Sequence, residues 1–245
     1  MTDKHGFGTK KRQQGDQAIL NGTDTYRDGF LKMVDSWTTS LPETIEILKA
    51  NIKLDPHFPA FMAWANANAV PVVVLSSGMV PIIRALLDQM LDDKELVSSI
   101  EIVANEAQPK PPINDLNKPG GWTVNYHDDS GFGHDKSLTI RPYAEAIAKS
   151  AKGQPRPTLL YAGDGVSDLS AARETDLLFA KKGHDLITYC EREEIPFTVF
   201  EDWSSILEMT KEIFEGKTNV KDLAEETLEL VRSNSLTNGT ERTIK

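Results

Sequence analysis

The 245-residue chain is long enough to bury a main core plus an insert, and 39% hydrophobic with 26% charged residues excludes wholesale disorder. A formal net charge of −10, from 27 basic and 37 acidic residues, argues against a nucleic-acid partner, because such a surface repels phosphates. No apolar run approaches the roughly 20 residues of a membrane span, which argues against a membrane protein, and the single cysteine, Cys190, fits a reducing, cytoplasmic setting.

Residues 1–68 read as helices. Phe30, Met33, Val34 and Trp37 recur at i, i+3, i+4 and i+7, which places them on one helical face. Ile45 and Leu48 mark a second helix starting near Pro42. Phe58, Phe61, Met62 and Ala65 mark a third, started by Asp55-Pro56. These apolar stripes are read as core packing, and no strand is expected in the segment.

From residue 71 strands and helices alternate. Val72–Leu75 is a wholly apolar, β-branched run, as a strand buried on both faces should be. A helix follows from Val80 to Gln89, then a strand over Ile100–Ala104. Residues 107–135 are rich in Pro, Gly, Asn and Asp, and predict a long excursion with a hairpin around Trp122-Thr123-Val124. A helix over Ala144–Ala151 precedes a strand over Thr158–Ala162 and a helix from Ser167. Strands Leu177–Ala180 and Phe197–Phe200 flank a helix from His184 to Glu193, and residues 204–232 read as helical before a frayed end. The alternation predicts a parallel, three-layer α/β sheet.

Three polar clusters stand at strand ends or near them, where parallel α/β sheets place their ligands. Ser76-Ser77-Gly78 lies between a strand and a helix, so a hydroxyl and free N–H groups can meet an anion; the same residues also make an ordinary capped turn. Gly163-Asp164-Gly165-Val166-Ser167-Asp168 puts one carboxylate at a strand end and another in the first helical turn. Paired carboxylates there suit Mg²⁺, although each could merely cap a turn or favour the helix dipole. Lys136, in Gly133-His134-Asp135-Lys136-Ser137, gains weight only from these partners.

The ordered set resembles the haloacid-dehalogenase (HAD) superfamily of phosphatases, in its phosphoserine-phosphatase-like branch, with fungal members related to methylthiopentenyl-phosphate and pyridoxal- or choline-phosphate phosphatases as the nearest likeness. Ser76 matches the second motif, Lys136 the third, and Asp164 with Asp168 the fourth; the likeness covers residues 1–210. It implies a Rossmann-like parallel sheet with a helical cap inserted near the N-terminus. The expected divisions are a cap over 1–68, an α/β core over 69–215, and a C-terminal helix and frayed tail over 216–245. It also implies an Mg²⁺-dependent hydrolase of a small phosphorylated metabolite. Ser76, Ser77, Gly78 and Lys136 would bind the substrate phosphate, Ser76 and Lys136 would serve catalysis, and Asp164 and Asp168 would serve the metal.

The family's first motif, a buried strand followed by Asp-x-Asp-Gly-Thr, does not occur in the sequence. In the family its first aspartate attacks phosphorus and its second acts as acid and base. The nearest look-alike, Asn21-Gly22-Thr23-Asp24, lacks both carboxylates at the required spacing and follows only Ala18-Ile19-Leu20. Relatives carry a segment resembling Met1–Gly8 just after that motif, so the chain reads as truncated. Because the missing strand is central in the family, the sheet is expected to be split between Val72–Leu75 and Leu159–Ala162. The truncated chain is expected to be inactive. The alternative is a non-catalytic phosphate- or metal-binding remnant, or an interaction protein.

Overall fold

The computed structural model describes residues 1–150 and 158–224. They form two compact units, Met1–Leu54 with Met62–Asp135, and Asp55–Phe61 with the described residues from Lys136 onward.

The first unit opens with helices α1 (Thr2–His5), α2 (Thr9–Leu20), α3 (Tyr26–Asp35) and α4 (Leu41–Asn51). Local chemistry starts the longer ones: the Thr25 side chain accepts from the Asp28 N–H, and that of Ser40 from the Glu43 N–H, with Pro42 in the first turn of α4. Helix α5 (Phe58–Ala67) starts within the second unit and ends in the first, and Asp55 Oδ1 accepts from the His57 N–H just ahead of it. Residues 1–68 contain no strand, as expected. The helical face drawn through Trp37 is corrected: α3 ends at Asp35, and Trp37 lies beyond its cap. Trp37 still packs, with its ring 5.8 Å from that of Trp122 and its indole N–H donating to Thr2 Oγ1 at 3.0 Å.

Strand β1 (Val73–Met79), helices α6 (Val80–Met90) and α7 (Lys94–Ser99), and strand β2 (Glu101–Pro109) make a parallel crossover, and β3 (Trp122–Asn125) turns back antiparallel to the end of β2. Val34, Leu41, Met79, Ile82, Trp122 and Val124 form one buried cluster. The early helices thus share a core with β1 and β3. Strand β1 does not stop at Leu75. Its pairing continues through Ser76 opposite Ala104 and, after a register shift, Met79 opposite Asn105.

The second unit contains α8 (Lys136–Ser150), β4 (Leu160–Gly163), a 3₁₀ turn over Val166–Asp168, α9 (Leu169–Ala172), β5 (Leu177–Lys181), α10 (Asp185–Arg192), β6 (Thr198–Phe200) and α11 (Trp203–Phe214). The strands are parallel in the order β4-β5-β6. Leu177 to Ala180 are all buried in the central strand, which explains their continuous apolar run. Leu178, Ala180, Leu186, Cys190 and Phe197 form the core beneath.

Two helix boundaries are corrected. Helix α8 starts at Lys136, eight residues before Ala144, and carries Pro142 inside it with the loss of one helical hydrogen bond. The helix after Asp164 starts as a 3₁₀ turn at Val166. Ala151, residues 225–232 of the expected terminal helix, and the end of the 216–245 segment lie outside the described residues. The expected split is present in the strand pairing: β1 and β4 belong to separate three-stranded sheets, each at an edge.

Candidate functional site

Lys136 stands at the first position of α8 with its side chain buried, only 3% exposed. Its ammonium pairs with Asp168 Oδ1 and reaches Ser167 Oγ at 3.3 Å. The Tyr161 hydroxyl donates to the same Asp168 oxygen at 2.7 Å. The other carboxylate oxygen, Oδ2, accepts the N–H groups of Asp164 and Gly165 at 2.9 and 3.0 Å. Asp168 therefore receives four donors and stitches the β4 turn to Lys136.

The electrostatics follow from that arrangement. Burial pushes the Asp168 carboxyl up, but the adjacent Lys136 ammonium and the N–H and O–H donors outweigh it and hold the carboxyl below its ordinary value. The Tyr161 hydroxyl is driven well above its ordinary value by burial first and by the Asp168 charge second. Gly163 is required by contact: a Cβ there would come within 2.5 Å of Asp168 Oδ2.

Asp164 behaves differently. It is exposed, and its side chain has the His184 ring beside it, with Nδ1 3.5 Å from Oδ2. Among the described residues no three His, Cys, Asp or Glu side chains gather as a metal site. Mg²⁺ nevertheless uses only one or two protein carboxylates and keeps several waters, so an open Asp164 fits it in donor type. Asp168, saturated by donors, is placed to hold the turn that presents Asp164.

Ser76, Ser77 and Gly78 lie in the first unit, whereas Lys136, Asp164 and Asp168 lie in the second. Ser76 Oγ accepts the Gly78 N–H at 3.0 Å, and the buried Ser77 hydroxyl has no hydrogen-bond partner among the described residues. An orphaned buried hydroxyl beside a helix start is a feature that an anion or water would satisfy. The look-alike Asn21–Asp24 forms the turn after α2, with Asp24 paired to Lys32 at 2.5 Å, and contributes to neither cluster.

The family model described as haloacid dehalogenase-like hydrolase matches residues 3–173. The chain belongs to this family. It is 49% identical over 214 residues to Pdp3-interacting factor 1 of Schizosaccharomyces pombe, covering 87% of this chain and 88% of the relative. It is 43% identical over 226 residues to a polyol phosphate phosphatase of Saccharomyces cerevisiae, covering 92% and 90%. A solved phosphoserine phosphatase, described as a phospho-aspartyl intermediate analogue, matches with a TM-score of 0.52 at 17% identity, over 82% of this chain and 85% of that one. A probable phosphoserine phosphatase from Vibrio cholerae matches with a TM-score of 0.54 at 15% identity, over 86% and 58%. These structures show the fold, an α/β fold shared with phosphoserine phosphatases.

Sequence reasoning missed Tyr161, Asn105 and His134. Tyr161 sat inside an apolar strand run, and its spacing of seven before Asp168 carried no warning that its hydroxyl donates to the same carboxylate oxygen that Lys136 meets. Asn105 and His134 lie in stretches read for strand pattern and turn composition, and only their burial sets them apart.

Proposed function

We propose that the chain is built for phosphomonoester hydrolysis on a small phosphorylated metabolite, and that residues 1–245 alone lack appreciable activity. The buried Lys136–Asp168 pair, holding an open Asp164 at the end of β4, carries this reading. Two relatives support it: one named a polyol phosphate phosphatase, and, at 25% identity, a 2-hydroxy-3-keto-5-methylthiopentenyl-1-phosphate phosphatase of Bacillus cereus.

Each residue takes the role its motif suggests. The hydroxyl of Ser76, with Ser77 and the Gly78 backbone, holds phosphoryl oxygens. Lys136 balances the charge that a bound phosphate brings, and Asp168 keeps the ammonium and the Asp164 turn in place. Asp164 holds Mg²⁺, with Asp168 orienting it through the turn. When bound, Mg²⁺ would neutralise phosphoryl oxygens. The helices of residues 1–68 select the substrate as a cap, residues 69–215 supply the core, and residues 216–245 supply the tail. The covalent step needs a carboxylate nucleophile, and no Asp-x-Asp-Gly-Thr occurs in residues 1–245. No helix among the described residues is long and apolar enough to cross a membrane. A cytoplasmic setting completes the reading, supported by one buried, unpaired cysteine, Cys190.

A second reading, a non-catalytic interaction protein that keeps a phosphate or metal site, is favoured by the name of the Schizosaccharomyces pombe relative. One assay separates the two. Residues 1–245, and the same chain with a first-motif strand joined ahead of Met1, are each given p-nitrophenyl phosphate and Mg²⁺. Turnover by the extended chain alone supports the phosphatase. No turnover by either supports the second reading. Turnover by residues 1–245 alone overturns the expected inactivity.

A further inference from the structure

We infer that His134 and Asn105 are positioning residues for Ser76, clamping the backbone that presents its hydroxyl to a phosphoryl oxygen. The inference rests on the phosphate-binding role proposed above for Ser76.

The clamp begins with a break in the sheet. Along β1, Ser76 pairs with Ala104, and the next paired residue, Met79, faces Asn105. Three steps on one strand match a single step on the other, so Ser77 and Gly78 bulge out of the ladder. Carbonyls released by such a bulge need new donors, because a buried unpaired carbonyl costs about 1–3 kcal/mol.

Two side chains supply those donors. Asn105 Nδ2 donates to the Ser77 carbonyl at 2.8 Å, and His134 Nδ1 lies 2.9 Å from the Ser76 carbonyl. A carbonyl only accepts, so this contact requires a proton on Nδ1. Both side chains are 0% exposed. Each is itself fixed. Asn105 Oδ1 accepts the His127 N–H at 2.9 Å. His134 follows Gly133, whose φ of +72° suits glycine and where an added Cβ would come within 2.1 Å of Tyr126 Cδ1.

The consequence falls on the hydroxyls. With both carbonyls turned inward, Ser76 Oγ accepts the Gly78 N–H at 3.0 Å. Its own proton stays available for a phosphoryl oxygen, and the Ser77 hydroxyl is left without a partner among the described residues. His134 lies two residues before Lys136 in the chain, so one short segment carries both the clamp and the proposed phosphate-neutralising lysine.

The test compares His134→Asn with His134→Gln in the full 1–245 chain. Asparagine places an amide nitrogen near the position of Nδ1, and glutamine near that of Nε2. Two readouts are taken by NMR with Mg²⁺ present: hydrogen exchange of the Gly78 amide, and titration with inorganic phosphate. His134→Asn should keep Gly78 protection and phosphate affinity near wild type. His134→Gln should speed exchange at Gly78 and weaken phosphate binding about fivefold, the scale of one lost hydrogen bond. Equal behaviour of the two variants in both readouts overturns the clamp. A third variant, Lys136→Met, tests the underlying reading separately. If wild type binds no phosphate, or Lys136→Met binds it unchanged, the proposed function fails, while Gly78 exchange still decides whether His134 positions Ser76.

Discussion

The Lys136 ammonium and the Asp168 carboxylate form an ion pair in which the two residues are only 3% and 5% exposed. Taking two charges out of water is costly, and the cost is offset here by the further donors that Asp168 receives from Tyr161, Asp164 and Gly165. A pair of this kind is a poor source of net stability and a strong constraint on geometry. Removing one partner is therefore far more damaging than the pair's net worth.

Asp168→Asn should leave the Lys136 ammonium buried without a counter-charge. The expected loss is about 3–5 kcal/mol, the usual cost of breaking one side of a buried pair. Urea unfolding followed by circular dichroism measures it. A loss below about 1 kcal/mol would mean that Lys136 escapes to solvent in the variant.

The acid limb of stability should carry the same signature. The Asp168 carboxyl is held below its ordinary value in the folded chain, so it binds a proton less readily folded than unfolded. Its contribution is present above the unfolded value of about 3.9 and is lost as the pH falls through the lower folded value. The stability difference between wild type and Asp168→Asn should therefore be constant from neutral pH down to about 5 and shrink below about 4. Chemical unfolding at a series of pH values reads this directly; a difference that grows on acidification contradicts the assignment.

Gly163→Ala would place a methyl group within 2.5 Å of Asp168 Oδ2 and 2.6 Å of its Cγ. The carboxylate must swing away and release the Asp164 and Gly165 N–H groups. Overpacking of this kind costs about 1–3 kcal/mol. Thermal melts should show the loss, and amide exchange should speed up at Asp164 and Gly165 more than elsewhere in the second unit.

Asp164→Asn should separate binding from stability. The side chain is exposed, so unfolding free energy should stay within about 0.5 kcal/mol of wild type. Mg²⁺ binding, followed by the shift of the Gly165 amide resonance, should fall by about tenfold or more, because an oxygen-seeking cation loses its carboxylate. Unchanged Mg²⁺ affinity would move the metal away from Asp164.

Much of this protein was determined by sequence pattern alone. The alternation of apolar runs and helical stripes from residue 71 set the α/β class, since a continuous run such as Leu177–Ala180 is stable only with both faces covered. The order of Ser76, Lys136, Asp164 and Asp168 along the chain carries the likeness to the family. Tertiary structure decided what a local pattern does not encode. Helix α8 starts at Lys136 across Pro142, because burial of Lys136 and its pairing with Asp168 come from a residue 32 positions away. The two carboxylates of the fourth motif look alike in sequence, yet donors from Lys136, Tyr161 and the turn saturate Asp168, while Asp164 stays open. The clamp on Ser76 joins residues 28 and 58 positions apart through backbone carbonyls freed by a bulge. Such contacts depend on strand register and buried hydrogen-bond demand, which no short-range periodicity records.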